Sequence, residues 1–378
     1  MRRKRRHRRK KRIWGVAVCL LGILCSIPAW QVSADPQKEP ESQSDITDTA
    51  LQNVRSEGCV PLPVWNPLQE KAEQITMQAA ETQLADSGQV EHSSVDASVV
   101  PYPTSWNIQE TCDVIRTTYE DYTGDAFFTL PNGGMVKNKT DHSNAELLAE
   151  SELPPAFRIA VNDQPQVLIM HTHTTETYEP EVREHYDPQF SYRTTDCSKN
   201  VVAVGDAITA ELQAAGIGVI HSDAVHDYPS YNGAYDRSAE TVRGILAEYP
   251  SIKVVLDIHR DAICSDTTLS QPIVTIDGKE AAQIMIISGC DDGTMNMPNY
   301  LMNFRFACRL QSQMEQQYPN FTRPILFDYR HYNQDLTTGS LLIEVGSHGN
   351  TVEQVVYSGH LIGKSLACLL YTSPSPRD

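Results

Sequence analysis

From about Pro155 onward, short apolar runs alternate with longer stretches whose apolar residues recur every three to four positions. The runs are Val167–Met170, Gly218–His221, Val254–Ile258, Ile284–Ser288, Ile325–Phe327 and Leu341–Val345. They are continuous rather than alternating, the pattern of strands covered on both faces. Between them, Val201–Ala215 sets Val201, Val204, Ile208 and Leu212 on one stripe and stops at Gly216. Ser238–Glu248 and Leu301–Tyr318 repeat that spacing, and each predicts a helix. A final amphipathic helix is expected over Val352–Leu370. Strands interleaved with helices predict an α/β domain over residues 155–367, a mostly parallel sheet flanked by helices. In such sheets the ligand site lies beyond the carboxyl ends of the strands.

The pattern is different upstream. Residues 106–154 are mixed and read as a small pre-domain, with a helix over Cys112–Tyr122, an extended run Phe127–Leu130, and a turn at Pro131–Gly134. Residues 35–105 carry twelve acids against three bases, with prolines scattered among Gln, Ser and Thr. Such a composition cannot bury enough apolar surface to offset chain entropy, so an acidic, disordered tether is expected. Within it, Leu68–Leu84 has the spacing of a transient helix.

Charge then separates the amino terminus from everything else. The chain of 378 residues has 31 Lys and Arg against 48 Asp and Glu, a formal charge of −17. Residues 2–12 hold ten of those basic side chains, leaving an acidic remainder. Nucleic-acid binding, which needs clustered cations on a folded face, is excluded. The basic run leads into Ile13–Trp30, eighteen residues without a charge, about 27 Å of helix and close to one hydrocarbon core. Positive charge on one side only keeps that end in the cytoplasm. Residues 1–34 therefore predict a basic stub and membrane anchor, with the folded domain outside the cell membrane. Val32-Ser33-Ala34 offers a signal peptidase site, so cleavage stands as the alternative.

The nine cysteines contain no C-x-x-C pair, which excludes a zinc ribbon and does not specify disulfides. The last eleven residues, Cys368–Asp378, read as translated sequencing adapter rather than native chain.

Chemistry concentrates at three predicted strand ends. Val167–Met170 runs into His171-Thr172-His173-Thr174-Thr175-Glu176. Val254–Ile258 runs into His259-Arg260-Asp261, and the last strand carries Glu344 among apolar neighbours. Imidazole and carboxylate are the ligands zinc prefers, and a catalytic site gathers three of them while leaving a position open. An acid is expensive to bury, so Glu344 needs a partner or a task; beside a metal it suits a general base. Asp257 or Asp261 would hold the second nitrogen of His259 or pair with Arg260, and Arg260 would meet a substrate oxygen, a substrate carboxylate or Asp261. The residues themselves thus point to a metal-dependent hydrolase, with zinc (Zn2+) as the ion.

VLIMHTHTTETY (167–178), DIHRDA (257–262) and YNQDLTTGSLLIEVGSHGNT (332–351) resemble the stage II sporulation protein P family, with further similarity in MVKNKT (135–140) and VHDYPSYNGAYDRS (225–238). The resemblance covers roughly residues 155–367. It implies a membrane-anchored, zinc-dependent N-acetylmuramoyl-L-alanine amidase that acts on peptidoglycan during engulfment of the forespore. The bond cut would join the lactyl group of muramic acid to L-Ala of the stem peptide. Endopeptidase or carboxypeptidase action on the stem, and a non-catalytic wall-binding scaffold, are the alternatives. Carried onto this chain, the ligands would be His173, Glu176 and His259, with Glu344 as base. His171 can replace His173, and related amidases take their carboxylate ligand from further along the chain than Glu176. His226 is a reserve ligand or substrate contact, and Tyr231, Tyr235 and Asn333 are candidates to line a glycan groove. Stage II sporulation proteins D and M are the partners that the resemblance implies.

Overall fold

The computed structural model describes residues 99–159 and 164–372. The anchor, the signal-peptidase alternative at 32–34, the Leu68–Leu84 helix and the segment 373–378 lie outside the described residues. Among the described residues no helix is long and apolar enough to cross a membrane.

The main sheet has eight strands: β2 (Phe127–Thr129), β3 (Met135–Asn138), β4 (Val167–Met170), β5 (Val219–His221), β6 (Val254–Asp261), β9 (Ile284–Gly289), β10 (Ile325–Asp328) and β11 (Ser340–Ser347). Their spatial order is β2-β3-β10-β9-β11-β6-β4-β5. The β2/β3 and β9/β11 pairs are antiparallel and every other pair is parallel. The sheet is therefore mostly parallel, with one antiparallel step at its centre. β1 (Asp113–Thr117), β7 (Thr268–Ile276) and β8 (Lys279–Ala282) form a second, three-stranded sheet.

The helices are α1 (Asn144–Ser151), α2 (Val201–Ala214), α3 (Ala234–Glu248), α4 (Tyr300–Gln317) and α5 (Val352–Thr372). Val201, Val204, Ile208 and Leu212 of α2 are all fully buried, as their spacing predicts. They join Val167 and Ile169 of β4, Val254, Leu256 and Ile258 of β6, and Leu341, Ile343 and Val345 of β11 in one core. The backbones of α2 and α5 approach closely because glycines face the contact. A Cβ on Gly359 would sit 2.9 Å from Val204 O, and one on Gly363 would sit 2.7 Å from Glu211 Cβ. On the other face, Leu168, Met170 and Val255 pack against Val242 and Ile245 of α3. Alternation along the strands puts Asp257 and His259 of β6, and Glu344 of β11, on this second face. All three are buried there.

The pre-domain stretch departs from its sequence reading. Asp113–Thr117, expected within a helix, is β1, paired in parallel with β7. Val114, Ile115 and Thr117 are β-branched and lose side-chain freedom in a helix, and a neighbouring strand offers them better packing. β3 joins the large sheet beside β10, and Glu150 of α1 meets Arg305 of α4 at 2.5 Å. Residues 106–154 thus supply edges to both sheets. The end of the expected tether is also held, since Thr195 N–H donates to Val100 O at 2.9 Å and the Tyr102 hydroxyl donates to Tyr178 O at 2.9 Å.

Candidate functional site

β4 ends at Met170, and the chain then turns tightly, with Glu176 N–H donating to His173 O at 3.1 Å. All nine residues His171–Glu179 are buried. Nothing in the spacing assigns the threonines a task, yet they fix the turn. Thr172 donates to Asp257 through its N–H (2.8 Å) and its hydroxyl (2.6 Å). Thr174 donates to Ala224 O, and Thr175 donates to Asp227, which also pairs with Arg193 at 2.5 Å. The loop is therefore rigid before any ligand arrives.

This turn separates the two histidines. His171 stays with the strand and points at α2. Its Nδ1 donates to Ile258 O at 3.0 Å, and its Nε2 shares a hydrogen bond with His221 Nε2 at 2.9 Å. Burial, followed by the neighbouring His221, pushes His171 down to about 3. Both of its nitrogens are taken. His226 is likewise occupied: its Nδ1 donates to His171 O at 2.8 Å, and its Nε2 lies 3.0 Å from Thr241 Oγ1.

His173 faces the other way and meets Glu176 and His259. The three offer ligand atoms that all lie within 4.8 Å of one another, and all three residues are buried. Glu176 stands between the rings, Oε1 3.5 Å from His173 Nδ1 and Oε2 3.5 Å from His259 Nδ1. Burial opposes the charge of Glu176, but the two imidazoles and Arg260 outweigh it and hold the carboxyl well below its ordinary range. His259 Nε2 lies 2.9 Å from Asp257 Oδ1 without hydrogen-bond alignment. Burial disfavours its protonation, but Asp257 and Glu176 together raise it well above the ordinary histidine value. His173 Nδ1 has no hydrogen-bond partner. Two buried, incompletely satisfied imidazoles around one carboxylate are a donor set that could hold a metal ion, and Asp257 stands where a carboxylate would support the His259 ring.

Glu344 is the register partner of His259 across β11 and β6. Its side chain is 3% exposed, and Oε2 has no partner. Burial first, then the carboxylates of Asp261 and Glu176, raise it to about 8. In the ion-free chain the folded state thus binds this proton more tightly than the unfolded state, whose ordinary value is 4.5. The stability so contributed is complete below about pH 4.5 and is lost as pH rises through about 8. Glu179, raised to about 7 chiefly by burial, acts with the same sign over a lower window. Below about pH 6.5 this is offset by His171 and His348, both pushed down to about 3 chiefly by burial and therefore favouring the folded state as pH rises toward 6.5, so thermal melts of ion-free protein should fall from about pH 6.5 to about 8.5. Glu344→Gln should flatten the upper part of that slope, and an unaltered slope would show that this carboxyl does not titrate there.

Arg260 has a structural part. Its guanidinium donates to Thr177 O (2.8 Å), Tyr192 O (3.1 Å) and Asp261 O (3.4 Å), while the Asp261 carboxylate pairs with Arg323 at 2.8 Å. Tyr231 stacks on His173 with ring centres 4.6 Å apart, and Tyr235 lies beside both His173 and His259. Asn333 instead ties the loop before β11 to α3, donating to Tyr235 O at 2.8 Å and Ser238 Oγ at 3.0 Å.

Taken together, fold and site define an α/β protein with a buried His/Glu/His cluster at the carboxyl ends of parallel strands and a buried acid beside it. The model of the stage II sporulation protein P family matches residues 72–367, and the chain belongs to that family. Stage II sporulation protein P of Bacillus subtilis (strain 168) is 30% identical over 232 residues, spanning 58% of this chain and 53% of that protein. The chain thus matches about half the length of this curated relative. Among solved structures, an N-acetylmuramoyl-L-alanine amidase of Nostoc punctiforme is 11% identical, with a TM-score of 0.32, over 55% of this chain and 95% of its own. An amidase of the same name from Clostridium difficile 630 is 16% identical, with a TM-score of 0.32, over 56% of this chain and 100% of its own.

Proposed function

We propose that this protein is a zinc-dependent peptidoglycan hydrolase that cleaves the amide between N-acetylmuramic acid and L-Ala of the stem peptide during sporulation. The observation that carries the reading is the buried cluster of His173, Glu176 and His259 with Glu344 in register beside it. The first three would hold the ion. A zinc ion there polarises an amide carbonyl and acidifies water. Glu344 takes a proton from the attacking water and delivers it to the departing amine. Burial, then Asp261 and Glu176, raise its carboxyl to about 8, and a cation held by the cluster would lower it toward the carboxylate form that a base needs. Asp257, fixed by Thr172, orients the His259 ring. Tyr231 and Tyr235 pack against the His173 and His259 rings and hold them in place. Anchoring by residues 13–30, with the domain outside the membrane, belongs to the same proposal, as do stage II sporulation proteins D and M as partners.

Digestion of purified peptidoglycan by the zinc-loaded protein, followed by mass spectrometry of the soluble products, tests the bond specificity. Free stem peptides with L-Ala at their amino end are expected. Products shortened only at the carboxyl end would replace the amidase with a carboxypeptidase, and zinc binding with no product would leave a wall-binding scaffold.

A further inference from the structure

Two buried arginines stand at the carboxyl end of the central strands, and their guanidinium groups differ. Arg260 is satisfied on all three nitrogens by backbone carbonyls. Arg323 is not. Its backbone is fixed on both sides, since its N–H donates to Ile284 O at 2.7 Å and its carbonyl accepts from Gln311 Nε2 at 3.0 Å. Its side chain is 8% exposed, and Nη1 donates to Asp261 Oδ2 at 2.8 Å. Nε and Nη2 are closed off from solvent and have no partner.

The course of this side chain follows from the sheet. Ile284 opens β9, Asp261 closes β6, and β11 runs between them. An arginine tied by its backbone to one and by its guanidinium to the other must cross β11, a span of about 9–10 Å at ordinary strand spacing. Alternation along β6 places Asp261 on the face that carries Asp257 and His259. The register places Glu344 beside His259 on that face. The guanidinium therefore lies on the face of the site, near Glu344, and no ion pair joins it to Glu344 among the described residues.

The Nε and Nη2 donors form one edge of the guanidinium, a pair of parallel N–H bonds spaced for the two oxygens of a carboxylate. Leaving such donors buried and unmade is costly, and Glu344, on which the Arg323 guanidinium acts electrostatically, also leaves its Oε2 without a partner. Glu344 Oε2 and His173 Nδ1 are equally closed off and equally without a hydrogen-bond partner.

We infer that the Nε–Nη2 edge of Arg323 receives a carboxylate of the substrate's peptide moiety and so sets the scissile amide against Glu344, with Asp261 steadying the guanidinium from its other end. The inference rests on the site being that of an amide hydrolase. A lysine cannot supply the same contact, because its ammonium is a point charge without a fork.

The test uses zinc-loaded full-length protein carrying Glu344→Gln, so that ligand binds without turnover. Calorimetry compares N-acetylmuramoyl-L-alanyl-D-glutamate with its uncharged diamide. The acid is expected to bind about tenfold more tightly or better, and adding Arg323→Lys should bring the two ligands within about twofold. Arg323→Lys keeps the charge opposite Asp261, so its melting temperature checks folding; Arg323→Gln gives a second comparison. Equal weakening of both ligands, or an undiminished preference in Arg323→Lys, overturns the inference by making Arg323 a brace for Asp261. Wall digestion by the otherwise unaltered chain separates the two readings. An active enzyme without the preference removes the carboxylate contact alone, whereas protein that neither cuts wall nor binds either ligand removes both.

Discussion

Glu344→Gln is expected to lower amide hydrolysis by about 10²- to 10⁴-fold, the range that a positioned general acid–base group contributes. The substitution keeps the size of the side chain and removes only its capacity to carry a proton. Glu344 stands outside the set of His173, Glu176 and His259, so bound zinc should stay at the level of the unaltered protein. Folding should not suffer either. Oε2 of Glu344 has no hydrogen-bond partner to lose, and a neutral amide escapes the burial penalty and the repulsion of Asp261 and Glu176 that together raise the carboxyl to about 8. Three measurements on one sample carry the test: turnover on peptidoglycan, zinc by atomic absorption, and the thermal midpoint. Turnover within about twofold of the unaltered chain would remove Glu344 as the base. Loss of zinc together with turnover would instead make it a ligand.

How far the sequence discloses this site depends on which forces place each residue. β4, β6 and β11 are legible because strands buried on both faces show as unbroken apolar runs, and His259 and Glu344 are then conspicuous as polar residues in or just beyond such runs. The choice between His171 and His173 is not legible, since both follow the same strand. It is made by the turn closed from Glu176 N–H to His173 O, and by Gly205 of α2, where a Cβ would lie 2.4 Å from His221 Nε2. Arg260 sits in the run His-Arg-Asp, yet its guanidinium is absorbed by carbonyls of Thr177 and Tyr192. Arg323 has no local motif, and only the order β9-β11-β6 carries it to Asp261. The hairpin of β7 and β8 did have a signal: Asp277-Gly278, both at positive φ, form the two-residue turn that an Asp-Gly pair favours. β1 lacked one, because whether a short β-branched segment becomes strand or helix is settled by a partner far away in the chain.

The ligand assignment makes the other large prediction. His259→Ala is expected to lower zinc affinity by more than about 100-fold, because even the loss of a group behind a ligand costs about 10- to 100-fold. The effect should be graded with distance from the ion. Asp257→Asn keeps the contact to His259 Nε2 but weakens its charge, and should fall within the 10- to 100-fold interval. His171→Gln should retain zinc at the level of the unaltered chain, because both nitrogens of His171 serve Ile258 O and His221. Since zinc binds the folded state, its removal by a chelator should lower the melting temperature of the unaltered chain and scarcely change that of His259→Ala. Competition with a chromogenic chelator measures each affinity on folded protein, independently of turnover. Zinc lost by His171→Gln and kept by His173→Gln would exchange the two histidines, and the ion would then have to sit toward α2, where Gly205 leaves room for the rings of His171 and His221 alone.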